Sequence, residues 1–119
     1  MIMPIRQSGD QFRTDDDPRF VIGQVVRHRR YGYRGVVVDF DMTCQADDTW
    51  FQKNQTQPQR DQPWYHVLVD GSSMTTYAAQ TSLLEDDSDE PVVHPLMEMF
   101  FKDFLEGYYL RNDEPWPSG

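Results

Sequence analysis

The stretch that most constrains the fold is residues 27–41, RHRRYGYRGVVVDFD, where a short glycine-spaced turn runs directly into three successive valines. β-Branched side chains favour extended backbone, and Val36, Val37 and Val38 in a row place apolar groups on both faces of a strand. Such a strand belongs at the centre of a sheet. Ahead of it, Gly32 and Gly35 can take positive φ at no steric cost, so the chain can reverse through Tyr31, Tyr33 and Arg34 into a hairpin. On the incoming arm, Ile22, Gln24, Val26 and His28 share one parity and Val25, Arg27 and Arg29 the other. In a strand those sets point to opposite faces. If Val26 faces the core, His28 does too, and Arg27 and Arg29 project outward together.

Further strands follow from the same arguments. Trp64, His66 and Leu68 alternate with Tyr65, Val67 and Val69, and Asp70-Gly71 after them is a strong hairpin signal. Residues 74–78 read as the return arm and 81–84 as one more short strand. Four or five short strands joined by tight turns predict an all-β fold, a small barrel, because closing a sheet removes its exposed edges. Val26, Val36, Val37, Val38, Leu68 and Val69 are its expected core. Residues 42–63 are polar and glutamine-rich, with only Trp50 and Phe51 as large anchors, and Asp47-Asp48-Thr49 can start a short helix there.

Toward the end of the chain, Leu96, Met97, Phe100, Phe101, Phe104 and Leu105 approximate a helical stripe, with Pro95 suited to its first turn and Gly107 to its stop. This predicts a C-terminal helix packed on the barrel, followed by a tail pinned by aromatics. Residues 1–19, with Pro4, Gly9, the run Asp15, Asp16, Asp17 and then Pro18, read as a flexible N-terminal tail. At 119 residues the remainder, 20–117, fits one domain.

Charge is unevenly spread. The chain carries a formal net charge of -9, yet residues 1–37 hold seven Arg against four Asp, whereas 38–119 hold four Lys or Arg against sixteen Asp or Glu. The overall acidity argues against indiscriminate attraction to polyanions but leaves room for a local basic site. A single cysteine, Cys44, excludes an intramolecular disulfide and a cysteine-based zinc cluster, which fits a reducing compartment. No apolar run approaches the roughly 20 residues that span a bilayer, and no secretory signal opens the chain, so a cytoplasmic location is expected.

Chemistry has little to stand on. Ser72, Ser73 and Ser82 sit in turns without nucleophile-elbow glycines, and Cys44 has no histidine near it in sequence, so no catalytic residues are assigned. His28, His66 and His94 could meet as metal ligands, but an imidazole beside aromatics on a strand is more often satisfied by a single hydrogen bond. Asp39, Asp41 and the acidic run 85–90 lack a calcium-loop geometry and read as a solvated face. No metal and no cofactor is expected. Tyr31, Tyr33, Trp64, Tyr65 and Tyr77 could line a ligand groove, although a domain this small needs about half of them for its core.

Three segments carry a family resemblance: GQVVRHRRYGYRGVVVDFD (residues 23–41), PWYHVLVDG (63–71) and TYAAQTSLL (76–84). Together they are similar to the hemimethylated-DNA-binding, or YccV-like, family, which includes the bacterial heat-shock protein HspQ. The resemblance covers roughly residues 20–117. HPLMEMFF (94–101) and YYLRN (108–112) are similar to the tail of longer YccV-like relatives. What the resemblance implies is an SH3-like β-barrel, no catalytic activity, and one of two roles. One is binding of hemimethylated DNA; the other is protein quality control under heat stress, as substrate or enhancer of an ATP-dependent protease. The family brings no sharp set of contact residues.

From the residues themselves, Arg27, Arg29, Arg30 and Arg34, with Tyr31 and Tyr33 between them, are the expected DNA- or partner-binding surface. Guanidinium groups pair bidentately with phosphate or carboxylate, so the patch suits either partner. The competing reading is that these arginines pair with the chain's own surplus of Asp and Glu.

Overall fold

The structure, a computed structural model, describes residues 17–53 and 58–117. Five strands form one antiparallel sheet: β1 (Val25–His28), β2 (Arg34–Asp41), β3 (Trp64–Val69), β4 (Thr75–Ala79) and β5 (Leu83–Glu85), in the order β4-β3-β2-β1-β5. β2 lies at the centre, as its three valines demand. Its Val37 joins Val26, Tyr65, Val67, Ala78 and Leu83 in a core on one face, while Val36 and Val38 join Val25 and Leu68 on the other. All six expected core residues are buried. His28 is buried with Val26, and Arg27 is exposed, as strand parity requires.

The two turn glycines act differently. Gly32 holds φ 75°, which reverses the chain between β1 and β2. Gly35 instead lies within β2, where a β-carbon would overlap the Leu68 carbonyl oxygen of β3. It is needed for close approach.

The expected closed SH3-like barrel is corrected to an open sheet. β4 and β5 are joined by a 3-10 turn, Gln80–Ser82, and no ladder pairs them. Side chains fill the seam: Gln80 is fully buried, its Nε2 donates to the Asp17 carbonyl (2.8 Å), and its Oε1 accepts the Arg19 amide (2.7 Å) and the Tyr65 hydroxyl (2.5 Å). β5 is only three residues long, too short to offer β4 a ladder, and Gln80 at the seam instead ties residues 17 and 19 to Tyr65 of β3. Of the expected N-terminal tail, 1–16 lies outside the described residues, and 17–19 is held by these bonds.

The long C-terminal helix is also corrected. A single helical turn, α2 (Met97–Phe100), gives way to a hairpin of β6 (Phe101–Leu105) and β7 (Tyr108–Arg111). Leu105 pairs with Tyr108 across Glu106 (φ 53°) and Gly107 (φ 87°), two successive positive-φ residues that make the connection a tight primed turn. Gly107 turns a hairpin instead of stopping a helix. Aromatic contacts across the strands reward the extended form, with Phe104 and Phe101 rings 4.5 Å and 5.7 Å from that of Tyr109. The hairpin docks on the sheet through the Tyr109 amide, which donates to the Gly23 carbonyl (2.8 Å), and through Arg111, whose Nε donates to the Val38 carbonyl (3.0 Å). The Trp116 ring lies 5.1 Å from that of Phe100 at a tilt of 59°, so aromatics do pin the tail.

The expected short helix is α1 (Asp48–Lys53), capped by Asp47, whose Oδ1 accepts the Trp50 amide (2.8 Å). No helix among the described residues is long and apolar enough to cross a membrane.

Candidate functional site

The β1–β2 turn is organised by His28. Its Nδ1 accepts the amides of Arg30 and Tyr31 (both 3.1 Å), and its ring stacks on Tyr31 (4.7 Å) and lies 5.1 Å from Tyr33. Burial, with a contribution from Arg30, depresses its pKa, so the neutral ring that accepts these amides is the favoured form. The Arg29 amide donates to the Ser82 carbonyl (2.8 Å), tying the turn to the segment before β5. Tyr33 shares a hydrogen bond with Thr76 Oγ1 (2.8 Å), and burial raises its pKa.

The four arginines of the turn divide into two pairs. Arg34 is largely buried and contacts Asp70 (2.8 Å) and Asp86 (3.1 Å), while its other donors reach the Glu90 and Pro91 carbonyls (2.6 and 3.2 Å). Arg27 contacts the other oxygen of Asp86 (2.8 Å). Burial opposes the charged form of all three partners in the Arg34 cluster but is outweighed: Arg34 is raised by its hydrogen bonds to Asp70 and Asp86, Asp70 is held below the usual carboxylate range by the Val93 amide and Arg34, and Asp86 by the Ser88 hydroxyl, Arg27 and Arg34. Arg29 and Arg30 are exposed, and neither guanidinium meets a carboxylate among the described residues. The Arg30 guanidinium lies 5.7 Å from the centre of the half-exposed Tyr31 ring.

Beside the turn opens a cleft of about 370 Å³, lined by His28, Tyr31, Tyr33, Trp50, His66 and Tyr77 among others. Of the five aromatics expected at a groove, Tyr31, Tyr33 and Tyr77 line it, whereas Trp64 and Tyr65 are wholly buried in the core. Trp50 and His66 join it unannounced, because α1 folds back over β3 and β4 and brings Trp50 within 5.7 Å of Tyr77. Asp86 was expected on a solvated face; its side chain is only 4% exposed because two arginines distant in sequence converge on it. No local signal marks it.

The histidines do not meet. His66 Nε2 lies 3.3 Å from Asp41, and His94 donates from Nε2 to the Met74 carbonyl (2.9 Å) while its Nδ1 accepts the Leu96 amide (3.1 Å). No group of three His, Cys, Asp or Glu residues is set to hold a metal among the described residues. Cys44 packs against Trp64 and Ala79.

A family model described as hemimethylated DNA-binding protein YccV-like matches residues 18–108. F-box only protein 21 of Homo sapiens is 32% identical over 110 residues, covering 87% of this chain and 17% of that protein. Its Mus musculus counterpart is 33% identical over 101 residues, covering 82% and 16%. The chain thus spans less than a fifth of the length of these curated relatives. The family match takes in the whole basic turn, the cleft's strands and the acid pair that holds them, and the chain belongs to the YccV-like, hemimethylated DNA-binding family.

Proposed function

We propose that the chain is a non-enzymatic DNA-binding module that contacts the phosphate backbone with Arg29 and Arg30. Tyr31 and Tyr33 present aromatic surface beside them, and Arg27 and Arg34 hold the turn in shape from behind. The observation that carries this reading is the division of the arginines: in a chain of net charge -9, Arg29 and Arg30 are exposed and meet no carboxylate among the described residues. Exposed guanidinium groups can pair bidentately with phosphate, whereas Arg27 and Arg34 would first have to give up contacts with Asp86 and Asp70. The adjoining cleft offers ring faces on which a base can stack.

Phosphate contacts from Arg29 and Arg30 alone imply a shallow salt dependence, a slope of about -2 in log affinity against log salt, and modest affinity. The test is titration of fluorescent hemimethylated and unmethylated duplexes at low salt with the parent and with Arg29→Ala/Arg30→Ala. Loss of binding in the double variant, with melting unchanged, supports the reading. Binding that survives moves the site elsewhere, and no binding by the parent removes the DNA role.

The acidity favours a second reading, an HspQ-like protein-interaction factor in ATP-dependent proteolysis and heat stress, because a pI near 4.5 suits a protein partner better than a polyanion. Pull-downs from lysate with and without nuclease separate the two. Recovery of an ATP-dependent protease after nuclease treatment would favour the second.

A further inference from the structure

Trp50, His66 and Tyr77 also line a second, wider cleft of about 740 Å³, whose other walls include Asp41, Gln45 and Asp47. Its electrostatic character is opposite to that of the basic turn. Trp50 is 38% exposed and crosses Tyr77 at 61°, and the His66 ring lies 4.5 Å from Tyr77, so three aromatic groups border one space.

Their positions are fixed by polar contacts. The Tyr77 hydroxyl donates to Asp41 Oδ2 (2.7 Å) and accepts the Gln45 amide (3.0 Å), and Asp47 caps the turn that carries Trp50. Burial, opposed by the Gln45 amide and reinforced by Asp41, raises the Tyr77 phenol above its ordinary pKa and keeps it a donor. His66 Nε2 approaches the same Asp41 oxygen, so Oδ1 is left without a donor among the described residues. The nearby cation Arg60 is directed elsewhere, toward Asp48 (3.6 Å) and the Ala46 carbonyl.

Two carboxylates repel phosphate and other anions, while ring faces attract cations through their quadrupoles, Trp most strongly. A bare ammonium is strongly hydrated and loses much on entering such a cleft. Methyl groups reduce that hydration, present apolar surface to the rings and preserve the charge. We propose that this cleft binds the methylated ammonium group of a methyl-lysine side chain, which carries no phosphate beside the cation. The site shares Trp50, His66 and Tyr77 with the cleft beside the basic turn, but neither Arg29 nor Arg30 borders it, so loss of the phosphate contacts and loss of this site can be told apart.

The indole resonances of the folded chain should be followed by NMR, with Trp50 assigned by substitution. The ligands are tetramethylammonium, choline, and one lysine peptide carrying zero to three methyl groups. We expect saturable shifts at Trp50, with the trimethylated peptide bound on the order of fivefold to thirtyfold more tightly than the unmodified one. Asp41→Asn and Trp50→Ala should each weaken binding about tenfold, Trp50→Phe should restore part of it, and Arg29→Ala/Arg30→Ala should leave it unchanged. The Phe variant keeps the test decisive if Asp41→Asn fails to fold. Tighter binding of the trimethylated peptide than of choline upholds a protein partner, and the reverse order overturns it. Equal binding of a neutral tert-butyl isostere, or no saturable shift, overturns it.

Discussion

The inner face of the sheet takes its apolar residues from all five strands, Val26, Val37, Tyr65, Val67, Ala78 and Leu83, so the sheet curls over its own side chains. The outer face cannot do this. Val25, Val36, Val38 and Leu68 are covered by the C-terminal segment, through Val92, Phe100, Phe101 and the partly buried Tyr109 and Trp116. A strand that is apolar on both sides requires a second layer, and the comparison shows that a short aromatic hairpin can supply it as well as a helix can. Burial on the inner face is a property of the ladder; burial on the outer face depends on docking.

Truncating the two cores should have the largest effect. Leu68→Ala, on the outer face, should cost about 2–5 kcal/mol and Val37→Ala, on the inner face, about 1–4 kcal/mol, both read by urea unfolding. An outer-face variant that melts like the parent would show that the hairpin does not seal that face. Gly23→Ala should separate the faces more selectively. Gly23 holds φ 95°, and a β-carbon there would overlap the Tyr109 carbonyl oxygen, so the hairpin must shift, at about 1–3 kcal/mol. Amide exchange should accelerate in β6 and β7 while the β2–β3 ladder stays protected.

Acid should loosen the outer layer through its tether. Asp70 accepts the Val93 amide (2.7 Å) as well as pairing with Arg34, and Arg34 reaches the Glu90 and Pro91 carbonyls, so this cluster holds the strap leading to the hairpin. Both carboxyls are depressed in the folded state, so their stabilisation is complete above the unfolded value of about 3.9 and is lost as pH falls through their folded values. His28, also depressed, adds a contribution present above about 6.5 and lost as pH falls through its folded value. Melting temperature should therefore decline in two steps on acidification, and His28→Gln should remove the upper one. The smallest effect is expected at Gly32→Ala, where a β-carbon meets nothing but φ 75° is strained, about 1 kcal/mol by thermal melting.

Much of the inner face is legible from local pattern. The Val36-Val37-Val38 run, the alternation through β3 and the Asp70-Gly71 turn, with Gly71 at φ 76°, each carry their own signal. The C-terminal segment is ambiguous because its aromatics satisfy a helical stripe and a strand pattern together. The site is legible to the same extent. Residues 27–34 announce a basic, aromatic turn, but nothing local says that Arg34 will meet Asp70 and Asp86, 36 and 52 residues further along the chain.

The sequence by itself determined the five strands of the sheet, the reversal at Gly32 and the gathering of four arginines there, because these depend on backbone sterics and side-chain period within a few residues. Tertiary structure decided that the sheet stays open around Gln80, that residues 101–111 form a hairpin, and that Arg27 and Arg34 are the turn arginines engaged by carboxylates. Those outcomes rest on contacts such as Gly23 with Tyr109 and Arg34 with Asp86, whose partners lie far apart in sequence and are brought together only when the chain folds.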